Sequence, residues 1–252
     1  MNLRITVVVL LVGVFSVLHA QSPEQVLEGA NQIYQQNKFV EARGAYESIL
    51  QNGYASGELY YNLGNTYYKL GNIARAILNY ERALRFMPND DDLGHNLQLA
   101  NLMITDKVDP TPRLFVWDYW DATKNAFSMD GITWVTYICY VLVIGLLAAA
   151  MLWRPYRSSK WGVIAIVVSG IAFVMSLVVF VAKISDLTRS DMAVVTTNVA
   201  TIKNSPDSRS SDAFVLHGGV KVQITDKVSD WVKIRLADGK VGWMEVTAAE
   251  AI

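Results

Sequence analysis

Apolar and polar positions follow four regimes along the chain, and each predicts a different kind of element. Three stretches are continuously apolar: residues 5–18, 132–152 and 161–181. The last two hold no ionisable side chain and are long enough to cross a bilayer as helices. Between the first and second stretches, residues 23–107 place apolar side chains at helical spacing. From residue 193 to 252, short segments alternate apolar and polar residues, the signature of half-buried strands. The pattern predicts a multi-domain chain: a helical block, a two-span helical hairpin and a C-terminal all-β domain.

The helical block repeats internally. Residues 23–56 laid over residues 57–90 bring Asn31 onto Asn65, Tyr34 onto Tyr68, Ala42 onto Ala76, Tyr46 onto Tyr80 and Leu50 onto Leu84. A period of 34 residues is that of a stacked helix–turn–helix repeat. In the second copy, Gly64 and Ala76 are expected to let paired helices approach. Tyr67, Ile73, Tyr80 and Ala83 are expected to fill the core, and Pro88 to end the second helix. The first copy has Ala30 in place of the glycine and Tyr54 in place of the proline. Residues 91–108 begin like another first helix, with Leu93, Leu97, Ala100 and Ile104 on one face, and no partner helix follows. They are expected to cap the solenoid.

The second copy, LYYNLGNTYYKLGNIARAILNYERALRFMPND, resembles the tetratricopeptide repeat (TPR) consensus along its length. The resemblance implies a TPR domain over residues 21–108, with repeats at 23–56 and 57–90 and a capping helix at 91–108. It also implies a concave groove lined by the first helix of each repeat. In that register Glu24, Asn31, Tyr34 and Gln35 face the groove from the first repeat, and Glu58, Tyr61, Asn65, Tyr68 and Lys69 from the second. The peptide-binding candidates are Asn31, Tyr34, Gln35, Tyr61, Asn65, Tyr68 and Lys69. An amide both donates and accepts, so Asn31 and Asn65 suit a peptide backbone. The alternative is that the asparagines hold helix to helix and the tyrosines belong partly to the core. Lys69 alone is placed to grip a carboxylate, so capture of a free peptide C-terminus is not expected.

The N-terminal run, MNLRITVVVLLVGVFSVLHAQS, has Arg4 before an apolar stretch and ends in small residues at Ala20, as a secretory signal peptide does. Cleavage after residue 20 is expected, with an uncleaved anchor as the alternative. Residues 109–131 form a linker, opened by Asp109-Pro110-Thr111-Pro112 and rich in Phe115, Trp117, Tyr119, Trp120 and Phe127. This juxtamembrane segment either lies at the headgroup interface, where Trp and Tyr collect, or finishes the repeat core. Residues 132–181 form a transmembrane hairpin whose turn, 153–160, carries Arg154, Arg157 and Lys160. The outer flanks carry only Lys124, Lys183 and Arg189. The positive-inside bias puts the turn in the cytoplasm and both soluble blocks outside. The signal peptide demands the same side. In the second span Gly162, Ala165, Ser169, Ala172 and Ser176 share a face and are expected to pack on Gly145, Ala148 and Ala149 of the first.

In residues 190–252, strands are expected at 193–197, 199–203, 220–224 and 231–236. Asp238-Gly239 marks a tight hairpin. The stretch W-x-K-I-x-L-x-D-G-K-x-G-W at residues 231–243 resembles a bacterial SH3 domain, which implies an SH3-like all-β barrel. Of its aromatics Phe214, Trp231 and Trp243, one or both tryptophans are expected to fill the small core.

Composition narrows the function. Hydrophobic residues make up 52% of the chain and charged residues 18%, with net charge -1 and no basic stripe, so nucleic-acid binding is not expected. The one cysteine, Cys139, falls inside a span. His19, His95 and His217 are not at metal-ligand spacing. Asp90, Asp91 and Asp92 suit a helix start, and Asp226, Asp230 and Asp238 suit turns. No enzyme activity, cofactor or metal is expected. The order of parts resembles the TPR- and SH3-containing (BatE-like) members of the Bat aerotolerance family. That resemblance implies a bacterial inner-membrane protein with TPR and SH3-like domains in the periplasm. It also implies partners among von Willebrand A-domain membrane proteins, beside a MoxR-type AAA+ ATPase, in envelope and oxidative stress tolerance. A scaffold docking partners through its TPR groove is the first expectation. The alternative is a peptidoglycan-binding or wall-sensing protein acting through its SH3-like domain.

Overall fold

The computed structural model describes residues 22–109, 111–112, 114–153, 155, 159–188 and 191–252. The expected signal peptide and the turn arginines Arg154 and Arg157 lie outside the described residues.

Five helices open the described chain: α1 (Pro23–Gln35), α2 (Phe39–Gln51), α3 (Gly57–Lys69), α4 (Ile73–Phe86) and α5 (Asp91–Met103). Their starts follow from local chemistry. Ser22 caps α1 in a reciprocal pair with Gln25, Ser56 caps α3, Asn72 caps α4 and Asp90 caps α5, each accepting from an otherwise orphaned helix N–H. Leu59, Leu63, Tyr67, Ile77, Tyr80, Ala83 and Leu93 are buried in one cluster with Tyr46 and Ile49 of the first repeat. Gly64 is required by close approach: a Cβ there would stand 2.6 Å from the Tyr80 ring.

Helix α6 (Phe115–Asn125) has no buried residue and stands outside the repeat core, so the core is closed without it. Two long helices follow, α7 (Met129–Leu152) and α8 (Lys160–Thr188), and both outrun the apolar stretches that marked them. Their segments Met129–Leu152 and Lys160–Asp186 are long and apolar enough to cross a membrane. The α8 seam buries Gly162, Ser169, Ser176 and Lys183, spaced by sevens as in a left-handed helix pair. The serines satisfy their hydroxyls on their own helix, at Ile166 O (3.0 Å) and Phe173 O (2.8 Å). Two expectations are corrected. Ala172 is exposed, and Phe173 beside it meets Tyr140 at 5.9 Å between ring centres. On α7 the covered positions include Ile132, Thr136, Cys139, Val143 and Leu146 and, as expected, Ala149 with Ala150 beside it, while Gly145 and Ala148 are exposed. The heptad track of α7 runs through bulkier side chains from Ile132 to Leu146 and reaches small ones only at its end, Ala149 and Ala150.

The C-terminal part is a single antiparallel sheet of seven strands: β1 (Met192–Val195), β2 (Val199–Lys203), β3 (Asp212–His217), β4 (Lys221–Val228), β5 (Trp231–Arg235), β6 (Val241–Glu245) and β7 (Ala249–Ala251). The order is β3-β2-β6-β5-β4-β1-β7. Gly239, with φ of 92°, turns the β5–β6 hairpin. One face of every long strand feeds a common core of Val195, Ile202, Leu216, Val222, Val232, Ile234 and Met244. Here the tryptophan expectation is overturned. Strand parity sends Val232 and Ile234 inward from β5 and Met244 inward from β6, so Trp231 and Trp243 face outward and are half-buried. Phe214 is the aromatic that packs on the core.

Strand β1 is buried on both faces. Ala193 and Val195 belong to the sheet's own core, while Val194, 0% exposed, belongs to the helical core. The sheet therefore lies against α4 and the end of α5, covering apolar surface left by the half repeat that has no second helix.

Candidate functional site

The helical block has two faces with different chemistry. On the concave side, α1, α3 and α5 stand side by side. Tyr46 donates to Asn31 Oδ1 (2.8 Å), which also accepts from Asn62 Nδ2 (3.0 Å). The same three residue types recur 34 positions on: Tyr80 donates to Asn65 Oδ1 (2.8 Å), which also accepts from Asn96 Nδ2 (3.0 Å). Each ladder ties the second helix of a repeat to the first helix of that repeat and the next. The ladders differ at the Nδ2 of their central asparagines. Asn31 Nδ2 donates to Glu58 Oε1 (3.2 Å), whereas Asn65 Nδ2 has no partner among the described residues. Burial, and after it the charges of Tyr34, Glu58 and Glu28, raises the Tyr46 pKa above 10.0. Burial, and after it Tyr61, Tyr34 and Tyr68, does the same for Tyr80. Both phenols therefore stay protonated donors throughout the physiological range.

A small hollow of about 230 Å³ opens beside the second ladder, lined by Tyr34, Asn65, Tyr68, Lys69, Tyr80, Asn96 and Leu99. It brings together Tyr34, Asn65, Tyr68 and Lys69 of the residues expected at the groove. Asn31 and Gln35 line a different part of α1, and Gln35 is exposed. Tyr61 is not on the hollow and accepts from Asn96 Nδ2 (3.0 Å). Sequence reasoning missed Asn62, Asn96 and Leu99. The signal was available for the first two, since they repeat at the same period as Asn31 and Asn65. The Tyr34, Tyr68 and Lys69 head groups make no hydrogen bond among the described residues. With Asn65 Nδ2, these four offer donors to an extended backbone or to acidic side chains.

The opposite side, formed by α4, is occupied. Arg75, Arg82 and Arg85 lie along it at helical spacing. Arg75 pairs with Glu250 (3.1 Å), and Arg82 reaches Glu250 (3.6 Å) and the Ala251 carbonyl (2.6 Å). Arg85 donates to Ile252 O (2.6 Å). The guanidinium groups of Arg75 and Arg82 also lie over the rings of Tyr67 (5.8 Å) and Tyr60 (5.9 Å). Lys221 on β4 pairs with Glu81 (2.6 Å). Past α5, the Asp106 carboxylate accepts the His217 backbone N–H (2.6 Å) and sits 3.1 Å from its ring Nδ1. Strand β7 and the β3–β4 corner are thus fastened to the helices across Val194.

The sheet keeps one open aromatic surface. Lys233 pairs with Trp243 across β5 and β6, its ammonium 5.9 Å from the ring centre, and Trp231 lies diagonally beside it. Lys203, opposite Trp243 on β2, is held by Asp212 (2.8 Å).

Compared with known families, residues 57–90 match the tetratricopeptide repeat and residues 198–248 match the bacterial SH3 domain. No curated protein matches the chain. A TPR module implies protein partners, and a bacterial SH3 domain implies cell-wall binding.

Proposed function

We propose that this chain is a membrane-anchored scaffold of the bacterial envelope that docks a protein partner in the concave groove of its TPR block. The observation that carries the reading is the division of labour between the block's two faces. The chain's own barrel covers the convex side, while Tyr34, Asn65, Tyr68 and Lys69 stand open on the concave side. A scaffold needs no nucleophile or general base, and the reading is non-catalytic.

The head's internal contacts also bear on topology. Two crossings by α7 and α8 return the chain to the side it left, and the ion pairs from α4 to β4 and β7 need both blocks on one side. The cationic turn and the N-terminal signal-like run support a periplasmic head on an inner-membrane anchor. The order of parts, similar to the Bat family, supports von Willebrand A-domain membrane proteins as partners in a stress-tolerance complex.

The test is binding of the full chain, in nanodiscs, to a purified von Willebrand A-domain membrane protein from the same organism. Tyr68→Ala with Lys69→Ala should weaken binding about tenfold, a loss of two contacts at roughly 0.7 kcal/mol each. Unchanged affinity with unchanged melting would remove the groove from the reading. A second reading, peptidoglycan binding by the barrel, is favoured by the outward Trp231 and Trp243. Co-sedimentation with purified sacculi that is lost in Trp243→Ala and kept in the groove variant would support it.

A further inference from the structure

Helix α6 presents an apolar face that the described residues leave largely open, with Trp120 half-buried. Phe115, Trp117 and Tyr119 are 67%, 57% and 72% exposed, and Val116 beside them is also exposed. At 3.6 residues per turn the apolar arc is centred near Val116 and Trp120, and Asp118 stands about 200° from Val116. An aromatic arc of this size left in water would be a liability for a free helix.

The helix's position says what covers it. Its C-terminal end is fastened to the last turns of α8. Lys124 pairs with Asp186 (2.5 Å), and Lys183 donates to the carbonyls of Lys124 (2.9 Å) and Phe127 (2.5 Å). Exposed aromatics mark two levels along the spans. Trp134 and Tyr137 lie near the start of α7, and Trp153 and Trp161 lie at the opposite end of the hairpin. From Trp134 to Trp153 an α-helix rises about 28 Å, close to the thickness of a bilayer's hydrocarbon core. Lys183 then falls just outside that core, on the side of the helical block and the barrel. The ties to Lys183 and Asp186 hold α6 at the same level.

We propose that α6 lies in the lipid headgroup interface, with its aromatic face turned into the bilayer and its aspartates toward water. It rests on α7 and α8 being membrane spans and goes beyond the groove reading, because it makes the bilayer itself a second partner. The contact would fix the tilt and height of the head over the membrane. Asn89 Nδ2, in the turn between α4 and α5, donates to Asn125 O (2.6 Å) and so ties the helical block to α6.

The experiment uses the full chain in phosphatidylcholine nanodiscs, with Cys139→Ser removing the native thiol. Single cysteines, Val116→Cys or Asp118→Cys, carry an environment-sensitive dye. The dye at 116 should be quenched by a nitroxide placed near the lipid headgroup and shielded about threefold or more from aqueous iodide, as for an interfacial helix, with the reverse at 118. Equal iodide access at both positions would overturn the proposal. Protection at 116 from both quenchers would also overturn it, because protein and not lipid would then cover the face. Ile144→Cys, mid-span on α7, should be quenched by a nitroxide deep in the acyl chains. Failure there would defeat the span reading and α6 together, whereas success there with failure at 116 would defeat α6 alone.

Discussion

The concave and convex faces of the TPR block are built from one repeat and end in opposite states. On the concave side, each ladder asparagine accepts two internal hydrogen bonds, and the flat, donor-rich surface around the second ladder stays open. On the convex side, Arg75 and Arg82 of α4 are drawn to β7 and Arg85 to Ile252 just past it, and Val194 is sealed in the helical core. A half repeat leaves an apolar edge that a longer solenoid would cover with another helix. Here a strand covers it. The comparison teaches that one face of this solenoid is a structural joint and the other is left open by the fold, and mutations on the two should behave differently.

The joint should give the largest effects. Val194→Asp would place an unpaired carboxylate at the centre of the helix–sheet contact and should cost about 3 kcal/mol or more. Thermal unfolding of the full chain would then lose its single transition, with helical block and sheet melting apart. Retention of one transition at the wild-type temperature would show that the two blocks are not coupled. Gly64→Leu forces atoms into the Tyr80 ring and should cost about 1–3 kcal/mol within the helices alone. Arg82→Ala removes a charge-assisted bond to a carbonyl and should cost about 1–2 kcal/mol. Arg75→Ala breaks a half-exposed ion pair worth about 0–1 kcal/mol.

Much of this arrangement was legible from side-chain types, because it rests on local chemistry. Asp90-Asp91-Asp92 announces a helix start, Asp238-Gly239 announces a hairpin, and the 34-residue period announces stacked helices. The joint was not read because it depends on contacts between segments more than a hundred residues apart. Arg75, Arg82 and Arg85 look like ordinary surface cations until β7 reaches them. One clue was present: Ala193-Val194-Val195 is continuously apolar where a one-sided strand would alternate, as expected for a strand buried on both faces. The outward tryptophans were misread for a related reason. Large aromatics suggest a core, but the parity set by Val232, Ile234 and Met244 overrides their hydrophobicity. In the groove, residue type alone could not separate ladder from ligand contacts. Asn31 and Asn65 serve the ladder with their carbonyls, and the second site is distinguished by the Nδ2 of Asn65, which has no partner among the described residues.

Alkaline titration separates the faces further. Tyr46 and Tyr80 have pKa values raised above 10.0 by burial and by their neighbours. The folded state therefore holds these protons more tightly than the unfolded chain. Their contribution to stability is complete below pH 10.0 and falls as pH rises above it. Urea midpoints should be flat from neutral pH to about 9 and then decline. In the Tyr46→Phe, Tyr80→Phe double variant the unfolding free energy should be lower by about 1 kcal/mol per lost bond, and the alkaline decline shallower. The smallest effect should come from the open face. Lys69→Ala is expected to change stability by less than about 0.5 kcal/mol, because nothing in the fold depends on it.

The most direct measurement is impermeant thiol labelling of intact cells expressing the full chain with Cys139→Ser and one new cysteine at a time. Gln35→Cys in the helical block and Ser208→Cys in the β2–β3 loop should react alike from outside the inner membrane once the outer membrane is opened. Ser159→Cys, at the hairpin turn, should react only after the inner membrane is broken. Labelling of Gln35→Cys and Ser208→Cys from opposite sides would contradict the single head, and labelling of Ser159→Cys from outside would contradict its anchoring in the periplasm.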